Sequence, residues 1–179
     1  MSDSMTAVVL ARSLQVTSAP HAAFGVLRLG VEDEARARIE LGEALGITLP
    51  DRPNTTAGSR PRVLWTAPRA WAVIDADATR LKAMQAAFGD RLCHYADLTD
   101  GRAGFRVMGR DAAQLLASEC PLDLSEAAFG PDRCAQSLFA GAPVLIDNRA
   151  GEDGFRLYVD ASLAPHLRQW LKAVAETLT

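Results

Sequence analysis

The sequence predicts an α+β fold, mainly antiparallel sheet with flanking helices, made of internally duplicated strand–helix units. Three observations predict it. First, a short apolar strand runs directly into an amphipathic helix four times. Second, the strands GVLRLG (25–30) and GFRVMG (104–109) are each bracketed by glycines five residues apart, while AWAVIDAD and FRLYVDAS share an aromatic start, alternation and an Asp-Ala pair. Third, Gly25 and Gly104 are 79 residues apart and Trp71 and Phe155 are 84 apart, separations close enough to indicate duplication with slightly different loops. Neighbouring strands read as hairpins and regular βαβ alternation is missing, which argues against a Rossmann-type parallel sheet. The expected organisation is an N-terminal arm (1–20) and a single domain (21–179) of two pseudo-repeats, about 21–90 and 91–179.

Each element follows from local chemistry. The first helix, after GVLRLG, carries Glu32 with Arg36 and Glu34 with Arg38 at i,i+4, a solvated face worth a few tenths of a kcal/mol per pair. The stretch LPDRPNTTAGSRPR has three prolines and no large apolar side chain between 50 and 62, so it reads as a loop. VLWTAPRAWAVIDAD reads as a hairpin around Pro68, LCHYADLTDGRAGFRVMG as two strands joined at Asp100-Gly101, and CAQSLFAGAPVLIDN as a hairpin turning at Gly141. In the last helix, Leu163, Leu167, Trp170, Leu171, Val174 and Leu178 share one stripe. Ser162 stands at the expected N-cap, and Pro165 is tolerated because it lies in the first turn.

Composition narrows the function. Hydrophobic residues make up 49% and charged ones 23%, the balance of a globular chain long enough for a continuous core. The net charge is −3 and the arginines are scattered, so no basic face is available to displace counterions from nucleic acid. The N-terminal MSDSMTAVVLARSLQV has a five-residue apolar run, too short for a signal peptide's apolar region or a membrane span. Three cysteines, Cys93, Cys120 and Cys134, are an odd number without close pairing, which fits free thiols in a reducing cytoplasm.

A search for chemistry returns little. Gly101, Gly104 and Gly109 match neither GxGxxG nor a P-loop, so neither FAD, NAD nor ATP is expected here by those routes. Cys93 and His94 are adjacent and point to opposite faces of a strand, while His21 and His166 are isolated, a poor basis for a metal site. Cys120 and Cys134 are conceivable nucleophiles with His94 as base. Cys120, however, follows a helix C-terminus, where the dipole opposes a thiolate, and both fit better as small packing residues. Asp97, beside Asp100 and Arg102 in YADLTDGR, either binds a ligand amine or accepts backbone hydrogen bonds at a turn, and the turn role is favoured.

The segments LWTAPRAWAVI, ADLTDGRAGFRVMGRDAAQLLASECPLDL, FGPDRCAQSLFAGAPVLI and FRLYVDASLAPHLRQWL, in that order over about 63–171, resemble the gamma subunit family of heterotetrameric sarcosine oxidase. CPLDL and RCAQ carry the resemblance most specifically. That family is similar to the folate-binding domain of the glycine-cleavage T-protein, described as a duplicated α+β unit with swapped strands.

The resemblance implies a non-catalytic structural subunit of a complex that oxidises sarcosine to glycine, passing the one-carbon unit to tetrahydrofolate and electrons to oxygen. It implies an alpha subunit as direct partner, with beta and delta in the same complex. It also implies that FAD, FMN, NAD, tetrahydrofolate and zinc are held by those other subunits. The folate-binding relatives carry paired aspartates where this chain has AGAPVLIDN, in which only Asp147 follows an apolar run. The alternative is a free-standing folate-binding or one-carbon transfer protein, for which Asp97 and Gln136 are the candidate folate residues. For partner contact, the 120–136 loop is the expected surface, with Pro121, Leu122, Phe129, Arg133 and Gln136 as its candidate residues.

Overall fold

The computed structural model describes residues 8–11, 14–30 and 34–177, with side chains from residue 14 onward. In order, the described residues form β1 (Val8–Ala11), β2 (Leu14–Ser18), β3 (Phe24–Leu29), α1 (Glu34–Leu45), β4 (Thr56–Ala57), β5 (Arg62–Ala67), β6 (Ala70–Ile74) and α2 (Ala78–Ala86). They continue as β7 (Cys93–Asp97), β8 (Arg102–Met108), α3 (Ala112–Ala117), β9 (Arg133–Phe139), β10 (Ala142–Asn148), β11 (Gly154–Asp160) and α4 (Ala164–Thr177). The class is α+β with antiparallel pairing throughout. One sheet has six strands, ordered β1-β2-β8-β11-β10-β9, and the other has five, ordered β4-β5-β6-β3-β7.

The succession β2-β3-α1-β4-β5-β6-α2 recurs as β7-β8-α3-β9-β10-β11-α4. Leu14–Ser18, within the stretch read as an arm, is thus the first strand of the first copy. Each copy's first strand pairs in the sheet of the other copy. β2 pairs with β8, setting Val16 opposite Val107, and β7 pairs with β3, setting Tyr95 opposite Leu27. The two compact units therefore combine Met1–Pro20 with Asp100–Thr179, and take His21–Thr99 as the other.

The bracketing glycines make room for the exchanged strands. A Cβ on Gly25 would lie 2.2 Å from the Tyr95 ring, and one on Gly104 would lie 2.2 Å from the Ala19 carbonyl oxygen. The Ala19 amide donates to the Gly104 carbonyl at 2.9 Å, so the exchanged strand continues against this point. Gly109 has φ +106 and its amide donates to Asp153 at 2.6 Å, a backbone conformation that side chains disfavour.

In each unit the helices cover one face of the sheet. Leu27 and Leu29 of β3, Val63 of β5 and Trp71 and Val73 of β6 pack with Leu41 and Leu45 of α1 and Met84 of α2. The indole of Trp71 donates to the Pro50 carbonyl at 2.7 Å, which satisfies its one polar atom inside the core. In the other unit Phe105, Val107, Val144, Ile146, Leu157 and Val159 pack with Leu115 and Leu116 of α3 and Leu167, Leu171 and Val174 of α4. Side chains of this size stabilise by about 1.5–3 kcal/mol each when fully buried.

Three local expectations change. The loop between α1 and β5 contains a two-residue strand, β4, paired with β5, because Thr56 and Ala57 have a sheet edge beside them. The cap ahead of α4 is Asp160, not Ser162. Its carboxylate accepts from the Ser162 amide at 2.9 Å and from the Ser162 hydroxyl at 2.6 Å, and a 3-10 turn (Ala161–Leu163) leads into the helix. Trp170, expected on the apolar stripe, is 39% exposed, and Ala164 and Ala175 are buried instead. On α1, Arg36 bonds Glu40 at 2.7 Å and Arg38 reaches Asp51 at 3.2 Å; Glu32 and Leu178 lie outside the described residues.

Two substitutions test the exchange geometry. Gly104→Ala is expected to destabilise by about 2 kcal/mol or more, because the new methyl meets backbone that cannot turn aside. Gly101→Ala, with nothing within 4 Å, is expected to stay within about 0.5 kcal/mol of wild type. Urea unfolding midpoints of the two variants check this, and equal midpoints would refute it.

Candidate functional site

Strand alternation decides which side chains reach the helix-covered core and which do not. In β10, Val144 and Ile146 enter that core, so Leu145 and Asp147 occupy the other face. In β11, Phe155, Leu157 and Val159 enter it, leaving Arg156 and Tyr158 opposite. The same rule puts Arg106 of β8 and Cys134 of β9 on the second face. Register then aligns one row across five strands: Thr17, Arg106, Arg156, Asp147 and Cys134.

Asp147 is fully buried and Arg149 is 9% exposed. The Arg149 Nε donates to Asp147 at 2.8 Å, and its Nη2 donates to the Tyr158 hydroxyl at 3.0 Å. Burial pushes the Tyr158 phenol above its ordinary pKa, a shift the Arg149 charge opposes. Beside this triad, Arg156 engages both carboxylate oxygens of Glu152, at 3.0 and 2.5 Å. Burial raises the Glu152 carboxyl, but the Arg156 hydrogen bonds and the charges of Arg156, Arg106 and Arg149 more than reverse this and hold it below the usual carboxylate range. Arg106 stands 3.8 Å from the same carboxylate.

Chemically, Asp147 is neutralised in place and shielded from solvent, so it is not presented to a ligand as a base or counter-ion. This is the carboxylate that follows the apolar run of AGAPVLIDN, and the aspartate-bearing folate chemistry of related folds has no fit to it.

The residues singled out from sequence are dispersed. Asp97, at the end of β7, accepts from the Thr99 amide at 2.9 Å and from its hydroxyl at 2.6 Å. The Thr99 bonds hold the Asp97 carboxyl below its ordinary pKa, which is the turn role. Gln136 is exposed on β9, so the two candidate folate residues belong to different sheets in different units. Cys93 is half-buried beside exposed His94, and burial pushes its thiol up. Cys120 and Cys134 are buried; Cys120 Sγ lies 3.5 Å from the Ser137 hydroxyl. His166 contacts the Ala140 carbonyl at 3.0 Å and His21 the Thr99 carbonyl at 3.1 Å.

Within the 120–136 loop, Pro121 is exposed and Leu122 is partly buried against the core. Phe129 is buried in that core, with its ring 6.2 Å from that of Phe155, and so presents no surface. Arg133 is half-buried, on the opposite face of β9 from Gln136.

The second-face charges went unread in the sequence, although a signal exists. Asp147 and Arg149 are two apart in an otherwise apolar strand run, and the triplet Gly-Phe-Arg occurs at both 104–106 and 154–156.

Asp147→Asn leaves the Arg149 charge buried without its partner and is expected to cost about 3–5 kcal/mol in urea unfolding. The double variant Asp147→Leu, Arg149→Met is expected to recover a large part of that loss. Glu152→Gln tests the neighbouring pair by pH. Because the folded pKa is depressed, the stability Glu152 confers is full above the unfolded value of 4.5 and is lost as pH falls through the folded value. The gap between wild type and Glu152→Gln is therefore expected to close below about pH 4; a constant gap from pH 7 to pH 3 would contradict the assignment.

Residues 30–176 match the model of the sarcosine oxidase gamma subunit family. The chain is 34% identical over 134 residues to the sarcosine oxidase subunit gamma of Corynebacterium sp. (strain P-1), an alignment covering 73% of this chain and 66% of that protein. It thus spans just under two thirds of the length of that curated relative. Among solved structures, heterotetrameric sarcosine oxidase from Corynebacterium sp. U-96 in complex with pyrrole 2-carboxylate is similar with a TM-score of 0.84 and 27% identity, over 93% of this chain and 85% of that one. Aminomethyltransferase T of the glycine cleavage system from Bartonella henselae shares the fold, with a TM-score of 0.63 and 16% identity over 89% of this chain and 45% of that one. The swapped duplication, the ordered segments and a family match running from β3's end to α4 converge: this chain belongs to the sarcosine oxidase gamma subunit family.

Proposed function

We propose that the chain is the non-catalytic structural subunit of a heterotetrameric sarcosine oxidase, which demethylates sarcosine to glycine with tetrahydrofolate and oxygen. Its direct partner is the alpha subunit, with beta and delta in the same complex. FAD, FMN, NAD, tetrahydrofolate and zinc belong to those other subunits, and the complex works in the cytoplasm. The contribution of this chain is then a contact surface, which holds a partner without taking part in its chemistry. Surface residues of the 120–136 loop, led by Pro121 and Gln136, are the side chains first assigned to that contact.

One observation carries the non-catalytic part of this reading. Asp147, the carboxylate that follows the apolar run of β10, is fully buried and spent on Arg149. The placement of the other candidate side chains agrees with it. The thiols of Cys120 and Cys134 are packed in strands and core, and Asp97 is held by Thr99. Among the described residues no three His, Cys, Asp or Glu side chains are grouped to hold a metal ion. Among the same residues no helix is long and apolar enough to cross a membrane.

Co-expression with the alpha, beta and delta subunits of the same host tests the proposal. The expected result is that omitting this chain lowers the yield of assembled oxidase, while Asp147, Cys120 and Cys134 variants that still fold leave kcat unchanged. Normal assembly and turnover without this chain would sink it. Titration of the isolated chain with tetrahydrofolate, read by tryptophan fluorescence, separates the free-standing folate-binding alternative. Saturable micromolar binding is the outcome that revives it; a flat titration is expected.

A further inference from the structure

The second face of the six-stranded sheet carries more positive charge than its own carboxylates neutralise. Arg149 has Asp147 at 2.8 Å, and Arg156 has Glu152 through both oxygens. Arg106 has neither. It stands directly opposite Arg156 in the β8–β11 register, a like-charge pairing that destabilises a sheet unless a counter-ion intervenes. The one carboxylate near it is Glu152, at 3.8 Å from Nη2 and already occupied. Among the described residues the Arg106 side chain makes no hydrogen bond, and its Nε is shielded from solvent with its donor unmet. Covering that Nε costs stability, since the donor loses water and gains no hydrogen bond in return.

We infer that Arg106 is the centre of a binding site for a small oxyanion, a carboxylate or a phosphate. The side chain remains 40% exposed, so a ligand can reach the guanidinium end while Nε stays covered. A planar guanidinium offers paired donors matched to two oxygens of such a group. The flanking position on β2, in register with Arg106 on the same face, is Thr17, whose hydroxyl adds a neutral donor beside the cation. Arg156 lies on the other side and contributes positive potential without giving up Glu152. Among the described residues five charged groups meet here, Arg106, Arg149 and Arg156 against Asp147 and Glu152, three cations to two anions. A bound monoanion balances them. The inference concerns this chain's own face and stands whether or not the chain works as an oxidase subunit.

The test uses the full chain at constant ionic strength, with chloride replaced stepwise by inorganic phosphate or by glutarate. Two readouts are followed: the thermal midpoint, and the side-chain Nε–Hε signals of the arginines in a proton–nitrogen correlation spectrum. The expected result is a saturable rise in Tm with at least one of the two anions, together with a saturable displacement of the Arg106 Nε–Hε signal. Arg106→Gln should abolish both, whereas Arg110→Gln, which removes an exposed arginine with an 85% accessible side chain, should leave the Tm rise intact. Arg106→Gln itself is expected to fold with an unchanged or higher midpoint in chloride, because it relieves the Arg106–Arg156 opposition. The inference is overturned by an equal Tm rise in Arg106→Gln, by a rise that never saturates, or by an unmoved Arg106 signal.

Discussion

Strand exchange is the constraint on which the rest of this structure depends. Each copy of the repeat surrenders its first strand to the sheet of the other, so neither sheet is complete from one continuous half of the chain. The backbone must approach closely where those strands enter, and this is why glycine stands at 25 and 104. Tyr95 lies over the first position and the Ala19 carbonyl over the second. The two glycines are equivalent in the repeat and meet different obstacles, one a side chain and one a backbone group. Duplication preserved the need for space while the neighbours diverged. Because pairing partners are distant in sequence, this topology commits the chain to long loop closures before its contacts form.

The six-stranded sheet has two faces with different physics. Helices seal one face with aliphatic and aromatic side chains, where packing alone sets the energy. The second face of the six-stranded sheet is assembled from charges, and its contribution is to register more than to stability. A buried ion pair adds little net free energy once desolvation is counted, but breaking it is expensive. A one-residue slip of β10 would turn Asp147 and Arg149 together toward the helix-covered core and part Arg149 from Tyr158 of β11. The Asp147–Arg149–Tyr158 triad therefore penalises the wrong register more than it rewards the right one.

How much of this was legible depended on the range of the interaction that fixes each feature. The duplicated units, the hairpins at Pro68 and Gly141 and the helix of Leu167, Leu171 and Val174 rest on periodicity and turn residues, which act locally and can be read directly. The exchange of first strands was reachable only through family resemblance, because spacing does not say which sheet β2 or β7 joins. Local reasoning failed where a neighbour took over the role: Asp160 captured the cap assigned to Ser162, and a nearby sheet edge drew Thr56 and Ala57 out of the loop. Phe129 shows the same limit. Its loop position suggested a surface, but the Phe155 ring and the core lie within reach, and burial of the ring decides the matter.

Charge on the second face was hardest to read, for a reason that bears on function. A carboxylate in a strand looks like a ligand-binding group until its partner is known, and the partner of Asp147 is two residues away on the same face. The pairing converts a reactive carboxylate into a structural one without altering the fold around it. Among the described residues, what remains without a side-chain hydrogen bond is a cation, Arg106, which stands 3.8 Å from a Glu152 carboxylate already bonded to Arg156. A face that neutralises its buried carboxylate and keeps one guanidinium partly exposed has a positive electrostatic preference. It does not suit chemistry that needs a carboxylate to stabilise developing positive charge, and it suits recognition of something negative.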